Sequence, residues 1–298
     1  MKIRVPGSTS NLGAGFDSIG LAINRYLEIE AKEQEEWEFF SKDQELSQLP
    51  RGKDNLIYEA FHFTEKWIGC PEWKKGYRVS VKSEVPLSRG LGSSSTAIVA
   101  GIELANQAHQ LGLSPEEKVK IGTDYEGHPD NVAPAILGGG VIALWVEGKL
   151  FYERFLCPGV SLVVFVPAYH VPTKEAREIL PKELLHSDAI RGSAVANLLV
   201  AGIKNADWKM VGEMSEMDIF HEPYRKSILP DFLAIKSFMK KEGAFGTFLS
   251  GAGPTMISFV SPQVVKENIT RWKASFPDIL IEEMNVSQTG VEVCKEGD

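Results

Sequence analysis

The sequence predicts an α+β fold. Helical and strand periods alternate irregularly along it, and short apolar strands come in pairs around glycine turns, which argues against a doubly wound parallel sheet. No internal repeat, low-complexity tract or linker rich in Pro, Gly and Ser divides the chain. The 298 residues allow one large domain or two of average size. We place a boundary near 155–160, giving domains 1–157 and 158–298.

In chain order, residues 26–32 (YLEIEAK) and 77–83 (YRVSVKS) alternate apolar and polar side chains as half-buried strands do. Between them, Asp54 is placed to cap a helix with Leu56, Ile57, Ala60, Phe61, Thr64, Trp67 and Ile68 on one face. A second helix is expected from Ser94 to a stop at Gly112. A third opens on Ser114-Pro115-Glu116-Glu117, a capping box with proline in the first turn, and closes near Gly127. A strand follows at 140–146. The apolar run 160–166 (VSLVVFV) suits a buried central strand. Helical patterns fill much of 173–242. Strands at 245–250 and 255–260 flank the turn GAGP, a helix runs from Ser261-Pro262 to about Ser275, and strands at 279–285 and 290–294 close the chain.

Hydrophobic residues make up 43% and charged residues 24%, which excludes disordered and fibrous classes. With 32 Lys plus Arg against 40 Asp plus Glu, the net charge is −8, the wrong sign for binding by phosphate neutralisation. Any anionic ligand must be held by local devices. Cys70, Cys157 and Cys294 form no CxxC pair and fit a reducing cytoplasm. The start has no apolar core of a secretory signal, and the longest uncharged stretch, 244–265, is broken by glycine and proline. The sequons at Asn268 and Asn285 are read as chance.

Much of the glycine falls in three segments. The first is PGSTSNLGAGFDSIG (6–20), polar and flexible. It reads either as an exposed turn or as a loop that wraps a ligand, with Asn11 and Asp17 as its polar groups. The second runs Pro86, Leu87, Ser88, Arg89, Gly90, Leu91, Gly92, Ser93, Ser94, Ser95, Thr96 and enters a long helix. Its glycines permit close backbone approach, and its serines put free N–H groups at the positive helix end, a phosphate site needing no lysine. It lacks the G-K-[ST] of a Walker loop and the third glycine of a dinucleotide motif. A serine-capped helix is the equal alternative. The third, FLSGAGPT (248–255), is explained either by a hairpin or by closure over a neighbouring site.

In this order the three segments strongly resemble the motifs of the GHMP kinases, over residues 6 to about 259. That resemblance implies an N-terminal domain like ribosomal protein S5 domain 2 and a ferredoxin-like C-terminal domain. It also implies ATP, with its triphosphate at the helix N-terminus of 86–96. Within the family, NLGAGFD, the segment EGHPDNVAP (126–134), TKEAREILP (173–181) and HEPYRKSILP (221–230) are most similar to the homoserine kinases of threonine biosynthesis. The resemblance then assigns L-homoserine as acceptor, bound by Asn11, Asp17, His128, Asn131, Arg177 and Arg225. Two arginines for a carboxylate and an aspartate for an ammonium form a complementary set.

It implies Mg²⁺ on Ser94 and Glu126, with Asp124 the alternative carboxylate, and a homodimer. Asp17 and Asn131 would orient the acceptor hydroxyl, and Asp130 stands where some relatives keep a base. The other histidines, including His221, show no metal spacing and are read as structural or exposed. No G-x-S-x-G elbow supports a hydrolase. The rival readings are another small-molecule kinase, of mevalonate or shikimate type, and a catalytically silent sensor of ATP and ligand.

Overall fold

The computed structural model describes residues 1–43 and 45–294. Strands β1 (Lys2–Ser10), β2 (Ile19–Gln34), β3 (Glu38–Phe40), β4 (Gly76–Ser83), β5 (Gly140–Val146), β6 (Lys149–Phe155) and β11 (Glu292–Cys294) form one sheet. Every pairing in it is antiparallel except β3 with β4. The second sheet holds β7 (Ser161–Pro167), β8 (Gly246–Leu249), β9 (Met256–Val260) and β10 (Ile279–Met284) in the order β10-β7-β9-β8. With one crossover through α10 (Pro262–Ser275) and one through the helices of 173–241, this is the ferredoxin-like βαββαβ order. The chain leaves the first sheet after Phe155 and enters the second at Ser161, but β11 returns to pair with β1, Lys2 opposite Cys294.

Helices α1 (Leu56–Ile68), α2 (Ser93–Ala108), α3 (Pro115–Glu126) and α4 (Val132–Leu137) cover the outer face of the first sheet. Its core joins Val5, Ile29 and Val79 of the strands to Phe61, Val99 and Leu104 of the helices, all buried. A second core fills the space between the two sheets. It runs from Leu21 and Ile23 through Val164 and Phe259 to α6 (His186–Lys204) and α7 (Trp208–Ser215). The third lies beyond the second sheet, where Phe165, Ile235, Met239 and Trp272 meet under α9 (Phe232–Lys241) and α10. The buried run of β7, apolar on both faces, divides these last two cores.

The capping box at Ser114 forms as read: the hydroxyl accepts from Glu117 N at 3.2 Å, and the Glu117 carboxylate accepts from Ser114 N at 2.8 Å. Elsewhere the structure corrects the sequence reading. Asn55, not Asp54, caps α1, because its side chain accepts from Ile57 N at 3.0 Å. Helix α2 starts at Ser93 and stops at Ala108, four residues short of Gly112, where Gln110 takes a positive φ. Strands β3 and β6 and helix α4 were outside the sequence reading. The polar first segment is neither exposed nor wholly a loop. Its residues through Ser10 continue β1, past an irregularity in register at Pro6/Gly7, and Ser8, Thr9 and Ser10 are buried.

Candidate active site

The burial of these small residues has a local cause. On a β-strand, serine, threonine and glycine leave room for neighbouring backbone to approach, provided every hydroxyl finds a partner. Ser8 Oγ donates to Asn131 Oδ1 at 2.9 Å, Ser10 Oγ accepts from Asn131 Nδ2 at 3.0 Å, and Thr9 Oγ1 lies 2.7 Å from Ser250 Oγ. Ser250 in turn donates to the carbonyl of Gly90, and Gly251 N to that of Ser10. The three glycine-rich segments are therefore tied together at one seam. The Gly253–Pro254 peptide at its edge is cis.

Two glycines are fixed by this seam rather than by any ligand. A Cβ on Gly92 would stand 2.2 Å from Ser8 Oγ, and one on Gly90 would stand 2.1 Å from the Ser250 carbonyl oxygen. Both also have positive φ, 71° and 57°. Gly90→Ala is expected to cost roughly 2–4 kcal/mol, since a backbone oxygen cannot rotate away. Urea unfolding checks this; a loss under about 0.5 kcal/mol would show that the seam yields.

Above the seam opens a cleft of about 510 Å³. Helix α2 aims its first turn into it. Gly92 occupies the cap position without a side-chain cap, and Thr96 N is the first amide to bond back into the helix, which leaves the N–H groups of Ser93, Ser94 and Ser95 for a ligand. Ser88, Arg89, Gly90, Gly92 and Ser93 to Ser95 line the cleft. Pro86, Leu91 and Thr96 do not. Leu91 packs in the core between the sheets, and Thr96 Oγ1 donates to Ser93 O at 2.7 Å. Arg89 reaches across to Ala168 O and His170 Nε2, both at 3.2 Å, and so fastens the loop to the second sheet. Beyond the loop the lining gains apolar side chains, Phe40, Leu49, Leu56 and Leu87, set beside Ser41, Arg51 and Asp54. Of these, only Leu87 belonged to a motif. Leu56 was read only as part of the apolar face of the first helix, and Phe40 and Leu49 gave no signal.

Glu126 faces the same helix end. Both its oxygens accept from Ser95 Oγ at 2.8 Å, while Ser94 Oγ is exposed toward the cleft at 3.5 Å. Burial pushes the Glu126 carboxyl up to about 7, against the opposing pull of His128 and the serine hydroxyls. Asp124, the alternative, is exposed and is not part of the cleft lining. A carboxyl whose folded value is raised prefers its protonated form. Its contribution to stability is thus full below 4.5 and lost as pH rises toward about 7. The ligand-free protein should lose up to roughly 3 kcal/mol across that window from this group. Glu126→Gln should flatten the slope in urea titrations, and parallel curves for the two proteins would contradict it.

At the other end, Asp17 sits at φ 55° with its N–H bonded to Asn11 Oδ1 at 3.0 Å. Asn11 Nδ2 donates to Gly251 O at 3.2 Å, so Asn11 braces the loop. The carboxylate of Asp17 receives Arg177 from α5 (Thr173–Glu178) in a two-pronged pair, 2.9 and 3.2 Å. His128 Nδ1 lies 2.5 Å from Asp130 Oδ1. Burial disfavours the charged ring, but Asp130, Glu126 and Asp17 outweigh it and raise the His128 pKa. Asn131 spends its carboxamide on Ser8, Ser10 and Asp130. Asp17, His128 and Asp130 offer ligand atoms within 4.8 Å of one another. The ring nitrogen already bonded to Asp130 makes this an ion-pair cluster, not an oxygen cage of the kind magnesium prefers.

Arg225 ends α8 (Glu222–Arg225) and is only 2% exposed. It donates to Ala176 O and Gly251 O, each at 2.9 Å, and lies 3.2 Å from His221 Nδ1. No carboxylate pairs with it among the described residues. Burial and the proximity of Arg177 lower its pKa to about 10. His221, read from the sequence as structural or exposed, is fully buried behind Arg225. The aromatic ring of Phe16 stacks on it at 5.1 Å. Both residues stood within quoted motifs, yet nothing in their spacing marked them.

A phosphate cradle without lysine, joined along one cleft to a pocket of paired charges, defines a kinase of small molecules. Two family models match the chain: the GHMP kinases N terminal domain over residues 55–139, and the GHMP kinases C terminal domain over 199–278. The chain belongs to the homoserine kinase family of GHMP kinases. It is 40% identical to the homoserine kinase of Bacillus licheniformis over 291 residues, 98% of this chain and 94% of that one. It is also 40% identical to that of Enterococcus faecalis, over 98% and 100% of the two chains. The crystal structure of homoserine kinase from Cytophaga hutchinsonii superposes with a TM-score of 0.84 at 26% identity, covering 99% and 97%. The mevalonate kinase of Methanococcus jannaschii, at 20% identity and a TM-score of 0.72, shares the fold.

Proposed function

We propose that this enzyme transfers the γ-phosphoryl group of ATP to the hydroxyl of L-homoserine, giving O-phospho-L-homoserine. One observation carries the choice of acceptor. Among the described residues Arg225 is a buried guanidinium without a carboxylate partner, and Arg177 and Asp17 stand beside it as a separable pair. An α-amino acid supplies the anion that Arg225 lacks, and its ammonium replaces Arg177 on Asp17.

ATP lies with its phosphates at the amides of Ser93 to Ser95 and its base toward Phe40 and Leu49. Ser94 and Glu126 fit Mg²⁺, because burial raises the Glu126 carboxyl despite His128, a cost that a cation beside it would offset, and Ser95 holds it in place. When bound, the cation neutralises charge on the transferring phosphoryl group. Catalysis then rests on positioning the hydroxyl in line, with the α2 amides stabilising equatorial oxygens. Asp130, bonded to His128, orients that ring rather than acting as a free base.

Turnover measured with homoserine, mevalonate, shikimate and galactose tests the assignment. Phosphorylation of homoserine alone is expected, and none with any acceptor would favour a sensor. No helix among the described residues is long and apolar enough to cross a membrane, and we place the enzyme in the cytoplasm. We also take it to be a homodimer. Light scattering at a monomer mass would overturn that.

A further inference from the structure

Beyond the groups that would touch an amino-acid substrate, one buried side chain connects them. His221 Nε2 lies 3.0 Å from the carbonyl oxygen of Gly13, and its Nδ1 lies 3.2 Å from Arg225 NH1. A carbonyl can only accept and a guanidinium can only donate. The ring therefore turns the Nδ1 lone pair toward Arg225 and an Nε2–H toward Gly13, with the Asp218 carboxylate 3.5 Å from that same Nε2. Gly13 belongs to the loop that carries Asp17, and that loop is closed on itself through Asn11. Phe16 of the same loop stacks on the imidazole with an interplanar angle of 21°, and its ring lies 5.4 Å from the Arg225 guanidinium and 5.9 Å from that of Arg177.

The Asp218 carboxylate fixes the histidine backbone from below, accepting from the N–H groups of Phe220, His221 and Glu222 at 2.7 to 3.1 Å. Gly13 packs closely against α7, where an added Cβ would stand 1.9 Å from the Ser215 carbonyl oxygen.

We propose that His221 is a positioning residue for the acceptor, the strut that fixes Arg225 relative to the Asp17 loop and so sets the spacing between the carboxylate and ammonium subsites. The proposal rests on homoserine being the acceptor and adds a determinant of its selection that touches no substrate atom. A strut of this kind acts on acceptor affinity and leaves the nucleotide end of the cleft untouched.

His221→Leu keeps much of the volume and removes the ring's contacts with Gly13, Arg225 and Asp218. It should raise KM for homoserine about tenfold, the loss of one ~1.4 kcal/mol interaction. KM for ATP should stay within about twofold and kcat should change far less than KM. His221→Asn, whose Oδ1 can take the place of Nδ1 as acceptor for Arg225, should recover most of the homoserine affinity. His221→Gln, which retains only the donor toward Gly13, should recover less.

Equal losses for homoserine and ATP, or an unchanged KM for homoserine in His221→Leu, would overturn the proposal. Should His221→Leu not fold, the Asn and Gln variants decide, and Asn no better than Gln overturns it equally. Arg225→Lys serves as the control. If it weakens homoserine binding while the His221 variants do not, the strut is wrong and the acceptor reading stands. If wild-type enzyme ignores homoserine, the acceptor reading itself fails.

Discussion

Asp17→Asn is expected to lower kcat/KM for homoserine about 100-fold while KM for ATP stays within about twofold. The backbone of this residue is held at a positive φ by Asn11 whatever its side chain, so the variant tests charge rather than loop geometry. Asparagine cannot compensate an ammonium, and it leaves Arg177 without its two-pronged partner. The freed Arg177 then binds a carboxylate more readily, which partly offsets the loss. Selectivity should therefore change in a recognisable way. 4-Hydroxybutyrate, which lacks the ammonium, should be discriminated against far less by Asp17→Asn than by the wild type. An unchanged ratio of the two substrates would remove Asp17 from the ammonium subsite.

Glu126→Gln should reduce kcat with Mg·ATP about 100- to 1000-fold, the range seen when a group stabilising transition-state charge is deleted. The acceptor end should change far less, because Glu126 hydrogen-bonds only to the serines of α2 among the described residues and reaches His128 through charge alone. Ser94→Ala should mimic the loss, since that hydroxyl opens to the cleft. Ser95→Ala should act more weakly, by letting the carboxylate drift. Comparable rates for Ser94→Ala and wild type, with Ser95→Ala crippled, would exchange the two serines' roles.

How much of this was legible in the sequence depends on the kind of signal. Capping boxes and turn glycines are local, and they located α3 and the strands around GAGP closely. The ordered motifs carried the family, the two-domain fold and most cleft residues. The misread parts share one cause: their conformation is decided by remote partners. Ser8, Thr9 and Ser10 look like a loop because their strand is stabilised by Asn131 and Ser250, more than 100 residues away. Strand β6 reads as an unremarkable KLFYERF, and only pairing with β5 makes it a strand. Asp17 and Arg177 were read as two separate substrate ligands; their mutual ion pair spans 160 residues and leaves no local trace.

That ion pair has a further consequence for how the enzyme responds to its medium. Binding a zwitterion exchanges one protein–protein charge contact for two protein–ligand contacts of the same kind, at sites partly shielded from solvent. Mobile ions that weaken the internal pair also weaken the contacts that replace it. Affinity for homoserine should hence vary little with ionic strength, while that for the polyanionic nucleotide falls steadily as salt is added.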